Sequence, residues 1–176
     1  MFAKQIAPML TLYLLFCSSA RTEAPMFSSG IQPTTALITE KAEYSVERYA
    51  GVLRLRIIAR YTNRTDREFF IARCGEAGPR FYLERLVSGS WIQSYQPLCV
   101  LVEAPPFVLP PSASRTDTID VIEIPDAFER HGQRIEGSGT YRLVYGVFAK
   151  FDEASHQFTG LLSLQDRSSN EFSVRK

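Results

Sequence analysis

The chain has 176 residues, a formal net charge of +1 and 45% hydrophobic residues. Such a balance leaves no electrostatic footprint for nucleic acid or an anionic membrane surface. The apolar content excludes wholesale disorder, and the length suits one domain with its own core.

The chain starts MFAKQIAPMLTLYLLF. Lys4 supplies a positive start, Ala7 to Phe16 form an apolar run of secretory h-region length, and Ser18 and Ala20 have A-x-A-like cleavage spacing. Residues 1–20 are therefore expected to be a secretory signal cleaved after Ala20, giving a periplasmic or extracellular protein. The run falls short of the about 20 residues a membrane-spanning helix needs, so no transmembrane segment is expected in the mature chain. In an alternative reading, Cys17 is the acylated cysteine of a lipoprotein and anchors the chain to the envelope. Phe16 argues against that, because the residue before an acylated cysteine is ordinarily small. Loss of Lys4 with the signal leaves 20 − 1 = 19 basic residues against 19 acidic ones. Residues 21–35 are small, polar and proline-containing, and read as a flexible linker. One domain is expected over 36–176.

From there the apolar period is two. The clearest strand is VLRLRIIARY (52–61), with Leu53, Leu55, Ile57, Ala59 and Tyr61 on one face and Arg54, Arg56 and Arg60 on the other. The arginine face is read as solvated and suited to pairing with Glu40, Glu43 and Glu47. Further strands are expected at 37–49, 68–74, 80–87, 91–95, 116–124, 139–150, 158–164 and 170–176, with one helical turn at 125–132. Seven to nine short strands at regular spacing predict an all-β, immunoglobulin- or fibronectin-III-like antiparallel sandwich.

Removal of the signal leaves Cys74 and Cys99. An even pair in an oxidising compartment predicts a disulfide, worth about 3 kcal/mol through loop closure. Tyr141, in Gly139-Thr140-Tyr141-Arg142-Leu143, suits a tyrosine corner, in which the hydroxyl bonds back to the preceding connection. Trp91 follows a Ser-Gly-Ser turn and reads as core or rim packing. Asn63-Arg64-Thr65 is a glycosylation sequon, but an asparagine there also suits a turn, and the turn is the preferred reading.

No serine or cysteine has a recognisable base, and no metal, calcium or phosphate-loop motif is present. His131 and His156 lie in loop-like segments. Asp117, Asp120 and Glu123 are spread along one expected strand. These patterns predict a protein without catalytic residues, cofactor or metal.

The order of landmarks — Tyr61-Thr62-Asn63-Arg64-Thr65, the hairpin into Trp91, Leu109-Pro110-Pro111-Ser112, then Gly139 to Leu143 — resembles small bacterial immunoglobulin-like domains. Among these are those grouped with the intracellular proteinase inhibitor family of bacilli. The likeness covers about residues 50–150. It implies the fold and a non-enzymatic role, with no inhibitory loop transferable residue by residue. The export signal and the cysteine pair depart from that family.

The expectation is an exported binding module that recognises a protein or cell-envelope component, its oligomeric state left open. The loop from Glu103 to Ser114 and the hairpin tip from Phe151 to Gln157 are its candidate surfaces. The alternatives are a secreted protease inhibitor and an accessory or enzymatic domain acting on envelope polymers.

Overall fold

Strand after strand follows along the chain in the computed structural model, which describes residues 35–75, 78–99, 104–123 and 134–176. In order they are β1 (Thr35–Thr39), β2 (Glu43–Ser45), β3 (Glu47–Tyr49), β4 (Val52–Asn63), β5 (Phe69–Ile71), β6 (Arg73–Cys74), β7 (Gly78–Pro79) and β8 (Phe81–Val87). Then come β9 (Ser90–Tyr95), β10 (Phe107–Leu109), β11 (Ser114–Glu123), β12 (Gly139–Tyr145), β13 (Val147–Asp152) and β14 (Gln157–Leu161). A single helical turn, α1 (Leu164–Arg167), precedes β15 (Phe172–Arg175). The fold class is all-β. Residues 1–34, with Cys17 and Ala20, and the turn expected at 125–132, with His131, lie outside the described residues.

The first sheet has the order β1-β4-β11, with β3 on the same edge of β4 as β1. The second runs β2-β15-β12-β8-β9, and the third β10-β5-β13-β14. β6 and β7 form a separate two-stranded ladder. Among the described residues all strand ladders are antiparallel except β2 with β15, and an isolated parallel bridge joins Leu37 to Ser169.

Alternation explains why these sheets share one core. β4 buries Leu55, Ile57, Ala59 and Tyr61, while Arg56 and Arg60 on its other face are exposed. β11 does the same with Ile119 and Val121, and β12 with Tyr141, Leu143 and Tyr145. Phe69, Ile71, Leu109 and Val147 of the third sheet join the same cluster.

Tyrosines tie the first two sheets together. Tyr61 of β4 stacks on Tyr145 of β12 with ring centroids 6.1 Å apart. The Tyr44 hydroxyl donates to the Ile58 carbonyl at 3.3 Å. Tyr95 of β9 donates to the Ile122 carbonyl and accepts from the Ile122 N–H, both at 3.3 Å. Its hydroxyl therefore satisfies a backbone pair on the open edge of β11. Each ring buries a large apolar body while its hydroxyl finds a partner across the core.

Three departures from the sequence reading have physical causes. The strand expected at 37–49 is three strands: β1 and β3 belong to the first sheet, and β2 crosses to the second. Buried positions change parity at the crossing, from Leu37 and Thr39 to Tyr44. The Asn170 side chain holds the exit by accepting from Thr39 N–H at 2.7 Å. The strand expected at 139–150 is also two. The chain leaves the second sheet for the third at Gly146, whose N–H donates to the Arg80 carbonyl and whose carbonyl accepts from Ala72 N–H, both at 2.9 Å. Finally, β10 falls in the loop expected from Glu103 to Ser114, and α1 starts at Leu164, the last residue of the strand expected at 158–164; at three and four residues each is too short to show a period.

Candidate functional site

Cys74 of β6 is bonded to Cys99, just beyond β9, with Cα atoms 4.7 Å apart. The bridge ties the short ladder after the third sheet to the outer edge of the second. Tyr141 is fully buried, and its hydroxyl donates to the Gly137 carbonyl four residues earlier at 2.8 Å. Burial raises the pKa of Tyr141, and that of Tyr95 as well. Trp91 is half-buried on the outer face of the second sheet. The Arg142 guanidinium lies 4.4 Å from its ring and pairs with Glu84 at 2.6 Å. This is rim packing.

Asn63 is fully buried. Its Nδ2 donates to the carbonyls of Arg67, Leu109 and Pro110 at 2.6, 3.1 and 3.0 Å, and its Oδ1 accepts from Thr65 N–H at 2.9 Å. The sequon is thus a structural knot holding the end of β4, the turn after it and β10 together. Its amide is not accessible for glycosylation in the folded state.

The carboxylates of β11 serve three separate partners. Asp117 is buried, pairs with Arg115 at 2.6 Å and accepts from the Tyr145 hydroxyl at 3.3 Å. Burial, reinforced by the Asp117 charge, pushes the Tyr145 pKa well above the usual phenol range. Asp120 points outward to Arg56 at 2.9 Å, and that hydrogen-bonded guanidinium holds its pKa low. Glu123 accepts from Lys176 Nζ at 2.8 Å. The three are not brought to one site.

The arginine row of β4 is largely neutralised at the surface. Arg54 pairs with Glu47, as expected, but Arg56 takes Asp120 of the neighbouring strand, and Glu43 pairs with Arg175. His156 sits at a φ of +51° in the β13–β14 turn, its ring edge-on to Phe151 at 6.2 Å. The turn is fixed by Asp152, which accepts from Ala154 N–H and Ser155 hydroxyl at 2.9 and 2.8 Å. Those bonds hold the Asp152 carboxyl below the usual carboxylate range. Among the described residues, no group of three His, Cys, Asp or Glu side chains is placed to hold a metal ion. No described helix is long and apolar enough to cross a membrane.

The loop expected at Glu103 to Ser114 carries β10 at the edge of the third sheet. Phe107 there lies between two guanidinium groups, with Arg115 3.5 Å and Arg73 4.7 Å from its ring centroid. The neighbouring Val108 starts an apolar row. Val108, Phe70, Phe148 and Leu161 are directly opposed across β10, β5, β13 and β14, and so share one face. Val108 and Leu161 are each 52% exposed. The rings of Phe148, Phe158, Phe151 and Phe70 continue the patch, at centroid separations of 4.8, 4.9 and 6.2 Å.

At its Leu161 end this patch opens into a cleft of about 310 Å³ between the second and third sheets. Phe81, Tyr82, Gly146, Phe148 and Leu161 form its walls. Arg80, Arg167, Gln93 and Gln96 supply the polar lining, and no acidic residue takes part. Two outermost strands flank it, β9 through Gln93 and β14 through Leu161, and each pairs on one side only among the described residues. Arg167 comes from α1, which Ser163 caps by accepting from Asp166 N–H. Its Nη1 reaches Tyr82 Oη at 3.4 Å and the Tyr145 carbonyl at 3.3 Å, while its Nε is buried without an acceptor.

None of these cleft residues was singled out in the sequence. Gln93, Gln96 and Arg167 stand in ordinary polar contexts and meet only through a fold that pairs distant segments. The one legible signal was the aromatic density of Phe148, Phe151 and Phe158.

No known family model matches the chain, and no curated protein does. Among solved structures, a chain of the Pseudomonas fluorescens alkylpurine DNA glycosylase AlkC, bound to DNA containing an abasic site analog, is similar at 12% identity with a TM-score of 0.37. The match covers 84% of this chain but only 32% of that one. A likeness at this level carries no argument about fold or activity.

Proposed function

We propose that this chain is an exported, non-catalytic binding module of immunoglobulin-like topology that recognises a protein or cell-envelope component. The cleft beside Leu161, with the apolar row leading to it, is its recognition site. The observation that carries this reading is the continuity of an exposed apolar row with a cleft whose polar lining is entirely basic and amide. Exposed apolar surface rimmed by polar groups marks interaction sites, and a pocket with a few convergent polar groups marks where specificity is set.

The immunoglobulin-like topology is supported by β1 and β2, one strand region divided between two facing sheets, with β2 parallel to the last strand. The Tyr141–Gly137 bond, a tyrosine corner in form, supports it too. Export is supported by the apolar start of the chain and by the Cys74–Cys99 bridge.

A photo-crosslinking side chain placed at Leu161, and separately at exposed Ile38 of β1, tests the site in the native envelope. Leu161 is expected to yield a discrete adduct that Ile38 does not. Identical adduct patterns from the two positions would remove the cleft from the account.

A further inference from the structure

The cleft has a charge with no counter-charge. Five arginines elsewhere meet carboxylates, Arg54 with Glu47, Arg56 with Asp120, Arg115 with Asp117, Arg142 with Glu84 and Arg175 with Glu43, while Arg73 lies over the Phe107 ring and Arg85 donates to the Ser138 carbonyl. Neither Arg80 nor Arg167 has a carboxylate within ion-pair distance among the described residues, although both line one pocket. Arg167 is the more telling. A guanidinium carries five donors in a fixed fork, and this one makes two bonds at 3.3 and 3.4 Å and leaves a buried Nε–H without an acceptor. Arg73, Arg85 and Arg115 also leave a buried Nε without an acceptor, but of the four only Arg167 lines the cleft, where an acceptor from outside the chain can reach its guanidinium.

We infer that the cleft takes an aspartate or glutamate side chain from an extended segment of a partner protein, with an apolar neighbour in that segment resting on Phe148 and Leu161. This rests on the recognition site proposed above and adds the chemistry of its ligand. A carboxylate matches the guanidinium fork, and Arg80 adds a second positive charge at the rim. A cleft of about 310 Å³ is at the small end of ligand pockets and has room for a side chain or two. A polypeptide is favoured over a lone acid because the cleft lies between two strand edges. The outer side of β14 pairs with no strand among the described residues and so offers its backbone groups to an extended segment, whose alternate side chains the cleft then receives.

Selection from a random-peptide display library on the immobilised purified protein tests this, followed by fluorescence anisotropy on the recovered sequence. The recovered peptides are expected to be enriched in Asp or Glu beside an apolar residue. Glu→Gln in the peptide and Arg167→Gln in the protein should each weaken binding about tenfold, with little further loss when combined, as for two halves of one ion pair. Arg80→Gln, on an exposed side chain, keeps the test readable if Arg167→Gln does not fold. It should weaken the acidic peptide more than its Gln version. Recovery without acidic enrichment, or equal loss for both peptides in both variants, overturns the inference. In that event a persisting Leu161-specific crosslink would leave the recognition site standing with a different ligand. Loss of that crosslink's specificity would remove the site itself.

Discussion

Replacing Asn63 with leucine is expected to destabilise the protein by about 3 kcal/mol, one of the largest single-residue losses outside the apolar core. The leucine keeps the branched heavy-atom shape but removes the donor that serves the carbonyls of Arg67, Leu109 and Pro110 and the acceptor for Thr65 N–H. Removing one partner from a buried polar set costs more than the set contributes intact, because the groups left behind are already out of water. Asn63→Asp should also be damaging, since a carboxylate would face those carbonyl oxygens with no donor. Thermal unfolding should register the leucine variant as a drop of roughly 10 °C for a domain of this size. A shift within experimental noise would mean that the bonds to β10 and to the turn are dispensable.

The second large effect is expected at Leu143, in the middle of β12. It is fully buried and lies directly opposite Leu83 of β8. Leu143→Ala removes that apolar volume and leaves a space its rigid strand neighbours cannot close, at a cost of about 2–5 kcal/mol. Thr118→Ala, on the exposed face of β11, is the matched control and should stay within about 0.5 kcal/mol. Comparable urea midpoints for the two variants would contradict the inward assignment of the β12 alternation.

The strands whose periodicity was long enough to read are the ones that were legible. Leu55, Ile57, Ala59 and Tyr61 announce β4 and its buried face because four apolar residues at strict period two cannot be mistaken for a helix. The change of sheet between Thr39 and Tyr44 shows in the sequence only as a parity slip, which a single strand over 37–49 does not accommodate. The change at Gly146 was not visible at all, because Tyr145 and Val147 keep the same parity in two different sheets. Tyr141 and the cysteine pair carried recognisable local chemistry. The cleft carried none: Gln93 and Arg167 lie far apart in sequence, and their meeting depends on where β14 and α1 are placed after the β13 hairpin. Pairing of distant strands is a tertiary fact that a period of two does not encode. The buried Asn63 shows the same limit, since a turn-forming asparagine and a sequon read alike until burial is known.

Amide hydrogen exchange of the purified protein, free and saturated with the partner trapped through Leu161, tests the location of the binding site most directly. Binding is predicted to slow exchange along 90–96 and 157–161, the two strand edges beside the cleft, while the outer edge at 47–49 keeps its free rate. Protection confined to 104–113, or to the arginine face of β4, with both edges unchanged, would contradict it.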